Sequence, residues 1–285
     1  MITKNEIHEA ISLCLVEAGT TYREDQFAAY ESAITAEKQT NSRWVLEQIL
    51  ENGKIAKEEQ LPLCDDTGIP HVIIEVGEEV ETPKGWLAAI KTGIADGLRR
   101  LPGRPMAVLG NDIERVEQSR GLDDDPGGVE PAPFLISSVP GNHIKITVLM
   151  LGGGPEIRAR TLRVFHRRDI RNVLSEAASW LKEEIRSLGC TPTTIAMGIG
   201  RSHMEASALM LKAMATGTLD QQSELERFVT GEINDTRVGP LGLGGKITAL
   251  GCFLKIGPTR ASGVRIVCVR PCCLVEPRRS TVTLG

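Results

Sequence analysis

Residues 143–156, HIKITVLMLGGGPE, carry the clearest strand signal in the chain: β-branched residues alternate through Ile144, Ile146 and Val148 and run into three glycines. Upstream of it the pattern is helical. Ile7, Ala10, Ile11, Cys14, Leu15 and Ala18 recur at three- and four-residue steps before Gly19, and a second helical pattern over 24–52 ends at Asn52-Gly53. HVIIEVGEEVE (71–81) predicts a strand and GWLAAIKTGIADGLRRL (85–101) a helix, whereas 102–141 is rich in proline and glycine and predicts a long surface loop. Downstream, 168–189 is the clearest helix. Ile170, Val173, Leu174, Ala177, Leu181, Ile185 and Leu188 share one face, and Gly189 stands where a helix stops. AMGIGRSH (196–203) reads as a glycine-rich turn before an Ala/Met-rich helix, 204–216, and an acidic helix follows. GVRIVCVRPCCLVEPRRSTVTLG (263–285) gives two strand-like runs around a cysteine pair. Helices first and scattered strands later predict an α+β fold: a helical part, 1–60, then mixed and antiparallel sheets with packed helices. No repeat or linker interrupts it, so 1–285 reads as one domain with its core in 61–285.

Composition removes several function classes. The 285 residues are 41% hydrophobic and 25% charged, ordinary for a globular protein. A net charge of −4 and 4% aromatics give neither the electrostatics nor the stacking surface of a nucleic-acid binder. No apolar run approaches the roughly 20 residues of a membrane span, and the N-terminus has no signal-peptide pattern. A cytoplasmic protein is the expectation.

The seven cysteines, at 14, 64, 190, 252, 268, 272 and 273, sort by position. Cys14 lies on a helix's apolar face, and Cys252 and Cys268 lie in strand-like runs, where cysteine is a small buried hydrophobe. Cys64, in LPLCDDTGIP (61–70), Cys190 and Cys272-Cys273 stand at element boundaries beside proline or glycine. Rigid scaffolds aim ligands from such loops. The C-x₂-C pairing of structural zinc sites is missing. Three distant thiolates suit a [4Fe–4S] cluster with one open iron, and spacing alone sets this beside a reading as plain buried thiols. Two glycine clusters are equally double-edged. LGGGPE (151–156) can bring backbone N–H groups to an anion, and GPLGLGGKIT (239–248) departs from a P-loop by placing Ile247 where a hydroxyl is needed; either also serves as a tight turn. The arginines of GLRRLPGRP (97–105) and VEPRRS (275–280) are candidates for two-point carboxylate recognition. The five histidines have no ligand spacing.

In this order, PLCDDTG (62–68), VLMLGGGPE (148–156), CTPTTIAMGIG (190–200), VGPLGLGGKITAL (238–250) and the late Cys…Arg-Arg segment resemble the iron–sulfur-dependent class I fumarase and L-tartrate dehydratase family, in its α-subunit or N-terminal catalytic domain. The resemblance spans about residues 20–283. It implies that Cys64, Cys190 and Cys272, with Cys273 as the competing third ligand, hold a [4Fe–4S] cluster. Asp66 takes the catalytic aspartate position. Around the substrate it implies Asp65, Thr67, Arg99, Arg104, the backbone of Gly152, Gly153 and Gly154, and Arg260. This sequence departs from the family at four positions around the substrate: Asp65 stands for a glutamine, Leu151 for a lysine, Pro155 for a serine and Arg260 for a histidine. The implied activity is reversible dehydration of a small 2-hydroxy (di)carboxylic acid such as malate or tartrate. A separate β subunit and an α-subunit homodimer are implied as partners. The altered shell leaves open a different elimination or sulfur-transfer substrate at the open iron, or an inactive cluster-binding homologue.

Overall fold

The structure, a computed structural model, describes residues 2–285. Its contacts group the chain into two compact units. The first holds the chain up to Thr21, Lys54–Gly152 and Arg278–Gly285; the second holds Tyr22–Gly53 and Gly153–Pro277. The architecture is α+β, with the helices α1 (Lys4–Thr20), α2 (Glu24–Ala36) and α3 (Thr40–Glu59) leading the chain.

In the first unit β1 (Ile69–Gly77), α4 (Trp86–Arg100), α5 (Asp112–Glu117), β2 (Leu135–Val139) and β3 (Ile144–Leu151) follow α1. The last strand in the chain completes a sheet of order β2-β1-β3-β8, where β8 is Arg278–Leu284. β1 runs parallel to β2 and antiparallel to β3, and β3 is antiparallel to β8, so the sheet is mixed. Ile7, Ile11 and Leu15 of α1 and Ile90, Ile94 and Leu98 of α4 pack with Val72, Ile74, Ile146 and Val148, alternate residues of one sheet face. The glycines inside α4 let the helices approach closely. A Cβ at Gly93 would stand 2.5 Å from the His8 carbonyl, and one at Gly97 2.9 Å from Leu15 Cβ. Helix closeness outweighs glycine's lower propensity there. α1 begins with a reciprocal Thr3–Glu6 capping box.

The second unit continues through α6 (Gly153–Glu156), β4 (Arg160–Phe165), α7 (Ile170–Leu188), β5 (Thr193–Gly200), α8 (His203–Thr216), α9 (Glu224–Asn234), β6 (Ala249–Ile256) and β7 (Val264–Pro271). The sheet order is β4-β7-β5-β6, with only β5–β6 parallel. α7 has the amphipathic face its sequence predicts, Asp169 as N-cap and Gly189 at φ +75° beyond its end. Val173, Leu174, Ala177, Leu181 and Ile185 pack with Ile195, Met197 and Ile199 of β5 and with Val229 and Ile233 of α9.

Four local expectations are corrected. Residues 196–200 are not a turn but the second half of β5, buried along its whole length. Gly198 supports contact with α8, since a Cβ there would meet the Ala206 carbonyl at 2.1 Å. The helical stretch 24–52 is two helices, and the second runs through Asn52-Gly53 to Glu59. Gly53 does not end it; a Cβ there would meet the Tyr22 ring at 2.2 Å. Finally, 102–141 contains α5, a 3₁₀ turn at Pro126–Gly128 and β2 rather than loop alone.

The glycine-rich segment 239–248 also finds its explanation here. Glu37, between α2 and α3, is buried, and its carboxylate accepts hydrogen bonds from the N–H groups of Lys38, Gln39, Lys246 and Ile247. A side chain of the protein is the anion in this loop. Burial opposes ionisation, but the four N–H donors hold the carboxyl below its usual range. Gly245, at φ +111°, has no room for a Cβ beside it. Among the described residues no helix is long and apolar enough to cross a membrane.

Candidate active site

Within the first unit, Cys64, Asp65, Asp66 and Thr67 occupy one turn. The Leu63 N–H donates to Gly19 O at 2.9 Å, fixing the turn's entry to the end of α1. Asp66 Oδ1 accepts from the Gly68 N–H at 3.1 Å, an Asx turn that sets the direction of its carboxylate. Thr67 is buried, and its hydroxyl accepts from the Arg104 N–H at 2.7 Å. The Asp65 side chain is 88% exposed and lies 3.5 Å from the Arg104 guanidinium. Cys64 is half-buried, with its sulfur 3.5 Å from Asp65 Oδ1. Burial raises its thiol pKa, and the Asp66 backbone N–H and the positive charge of Arg278 work against that rise. Gly68, at φ +80°, passes so close to Arg278 Nη2 and the Leu151 carbonyl that a Cβ would stand 2.7 and 2.8 Å from them. Glycine is required at this point.

Two of the three expected substrate cations, Arg99 and Arg104, differ in what they bind. Arg99 spends its guanidinium on Asp125, at 3.0 and 2.7 Å, and on Asp96 at 2.8 Å. These acids hold its pKa above the ordinary value. Arg104 is the cation the fold brings to the Cys64 turn.

Within the second unit the other cysteines meet along the backbone. Cys190 follows Gly189 and is exposed. Its carbonyl accepts from the Leu274 N–H at 2.9 Å, the Cys272 N–H donates to Thr194 O, and the Thr193 hydroxyl donates to Cys272 O. Residues 272–274 therefore run beside 190–194. The adjacent thiols part company. Cys272 is fully buried, with its sulfur 3.3 Å from Arg270 Nη1 and 3.7 Å from Met214 Sδ; burial pushes its thiol pKa up to about 12. Cys273 is half-exposed. Gly153 and Gly154 open the single turn of α6 and are exposed, while Gly152 is buried at the end of the first unit's β3.

Sequence reasoning missed the groups that hold these residues. Arg23 donates to Pro277 O, Gln26 to Val275 O and Tyr30 to Leu274 O, so α2 and its N-cap residue Arg23 clamp the segment after the cysteine pair. Arg270 is fully buried in an ion pair with Glu276 at 2.6 Å and reaches Glu156 at 3.2 Å. Burial disfavours its charge, and Glu276 foremost restores it. One signal was available: charged residues at 270 and 276 flanking two cysteines in an otherwise apolar run. Arg260 takes a different place. It lines a small cavity with Gly200 and Arg201 at the far end of β5 from Cys190. Eight strand residues, about 23 Å of extended chain, separate the two ends. Among the described residues, no three His, Cys, Asp or Glu side chains form a group that could hold a metal ion.

A sequence profile of the family described as fumarate hydratase (Fumerase) matches residues 8–283. The chain belongs to the fumarate hydratase family. Its relatives in this family include a putative L(+)-tartrate dehydratase subunit alpha of Methanocaldococcus jannaschii, 29% identical over 265 residues, 89% of this chain and 90% of the relative. The aerobic class I fumarate hydratase of Escherichia coli is 26% identical over 193 residues, and a putative class I fumarate hydratase of Geobacillus stearothermophilus is 24% identical over 269. Those matches cover 65% and 88% of this chain but only 32% and 50% of the relatives. This member of the fumarate hydratase family thus matches nearly all of an α subunit and a third to a half of the longer enzymes.

Proposed function

We propose that this chain is the α subunit of a [4Fe–4S]-dependent hydro-lyase that reversibly dehydrates a small 2-hydroxy (di)carboxylic acid. The observation that carries the reading is the Cys64–Gly68 turn, where a reachable thiol, two carboxylates and Arg104 come together within a family match running from residue 8 to 283. The donor chemistry suits the cluster. Cys64, Cys190 and Cys273 are thiols on turns bounded by proline, glycine or both, and each is half-buried or exposed. Cys273 is the better third ligand, because Cys272 is enclosed by Arg270 and Met214. A cluster on three thiolates supplies an open iron that acts as a Lewis acid toward a substrate hydroxyl and carboxylate.

The chain's own residues do the remaining work. Asp66, oriented by the Gly68 N–H, directs the substrate and takes part in proton transfer. Arg104 receives a substrate carboxylate, a role for which Arg99 is less suited because Asp96 and Asp125 occupy its donors. Asp65, in place of the family's glutamine, adds an exposed negative charge and disfavours plain fumarate relative to a substrate with more hydroxyl groups. The relative named as an alpha subunit supports a separate β subunit that completes the site. An α-subunit homodimer and a cytoplasmic setting belong to the same reading.

The test is anaerobic reconstitution with iron and sulfide, followed by EPR after mild oxidation. The wild-type chain gives a cluster signal, Cys64→Ala and Cys273→Ala lose it, and Cys272→Ala keeps it. A wild-type chain without a signal sinks the proposal, and loss in Cys272→Ala but not Cys273→Ala reverses the third ligand. The substrate is read by assaying the chain with its β partner on a panel of 2-hydroxy acids.

A further inference from the structure

Arg278 opens β8 and is 2% exposed. Its Nη1 donates to the Asp66 carbonyl at 2.8 Å, and its Nη2 lies against Gly68, which lacks the Cβ that would collide with it. The Nε is buried with no hydrogen-bond partner. No carboxylate pairs with this guanidinium among the described residues, in contrast to the other buried arginine, Arg270, which is matched by Glu276. A buried cation without a counter-ion is expensive, and proteins that keep one recover the cost when an anion arrives. The guanidinium sits under the turn that carries Cys64, Asp65 and Asp66. Arg279, the next residue of the Arg-Arg pair, is half-buried rather than enclosed.

We propose that Arg278 is the built-in counter-cation of the Cys64 turn, a positioning residue that holds residues 64–68 and offsets the negative charge the turn carries once thiolate-ligated iron and sulfide are bound there. It rests on the cluster-binding reading above and adds an electrostatic role to a residue that recognises the protein's own backbone rather than a substrate. A positive charge held in a low-dielectric wall favours the reduced, more negative state of a nearby redox centre.

The test uses the full chain reconstituted anaerobically, comparing wild type with Arg278→Gln, Arg278→Lys and Arg278→Met. The readouts are iron and sulfide per chain and the midpoint potential from an EPR-monitored titration. Arg278→Gln and Arg278→Met move the midpoint to more negative potential and speed iron loss about tenfold, while Arg278→Lys restores the potential more fully than the retention of iron. Arg278→Met, which asks for no hydrogen bonds in the pocket, carries the measurement should the Gln variant not fold. A neutral variant that loads iron and keeps the wild-type potential overturns the proposal and leaves the function standing. Equal iron loss in Lys and Gln at unchanged potential reduces Arg278 to a structural anchor and also overturns it. A wild-type chain that takes up no cluster overturns the functional reading, and this proposal falls with it.

Discussion

Arg270 and Arg278 flank Cys272-Cys273 in the sequence, both side chains are out of water, and only Arg270 has a carboxylate to match it among the described residues. Arg270 and Glu276 pair at 2.6 Å with neither side chain exposed, and Glu156 adds a third charge at the protein surface. Arg278 has a backbone carbonyl and an unused Nε. A closed ion pair is complete in the folded chain and fixes geometry. Among the described residues Arg278 has no carboxylate partner, and the Cys64 turn lies directly on it. Glu37 is the mirror case of the closed kind: a buried anion satisfied by four backbone donors.

The largest effect that separates these regions is expected at the closed pair. Glu276→Gln leaves Arg270 buried beside Cys272 without its main counter-charge and lowers stability by about 3–5 kcal/mol, read as a fall in the urea midpoint. A loss near zero would mean that Glu156 alone compensates Arg270. Next comes Glu37→Gln, which turns an NH₂ toward backbone donors and costs about 2–3 kcal/mol. This site also has a pH signature. The folded carboxyl is more acidic than the unfolded one, so its contribution is present above the unfolded value of about 4.3 and is lost as pH falls through the lower folded value. Between about pH 6 and about pH 3 the urea midpoint of wild type should fall further than that of Glu37→Gln; parallel falls would remove Glu37 from acid unfolding. The smallest effect is expected at the unmatched cation. In the cluster-free chain, Arg278→Met loses one hydrogen bond and relieves a buried charge, for a net change within about 1 kcal/mol. A loss as large as that of Glu276→Gln would erase the contrast between the two arginines.

Local periodicity made much of the fold legible. α7, β3 and β7 follow directly from their apolar spacing, and Cys14, Cys252 and Cys268 are buried as their positions in those patterns require. Two of the errors came where glycine was read as punctuation. Gly53 and Gly198 lie inside a helix and a strand because a ring and a helix backbone pass over them, and nothing in the neighbouring residues announces that approach. Of the candidate site, the Cys64 turn was readable because its residues are contiguous. The separation of Arg260 from Cys190 was hidden, since it depends on which end of β5 each loop leaves.

By itself the sequence determined the α+β class, the faces of its helices, the turn that carries Cys64 and Asp66, and the ordered motifs that tie the chain to its family. These are properties of residues close in the chain, governed by hydrophobic periodicity and turn chemistry. Only the tertiary structure decided that the glycine loop is filled by Glu37, more than two hundred residues from Lys246, that Cys272 faces inward while its neighbour stays reachable, and that, of Arg270 and Arg278, only the first is matched by a carboxylate among the described residues. Those outcomes depend on which distant groups meet in a low-dielectric interior, where the presence or absence of a single opposite charge changes what a residue is for.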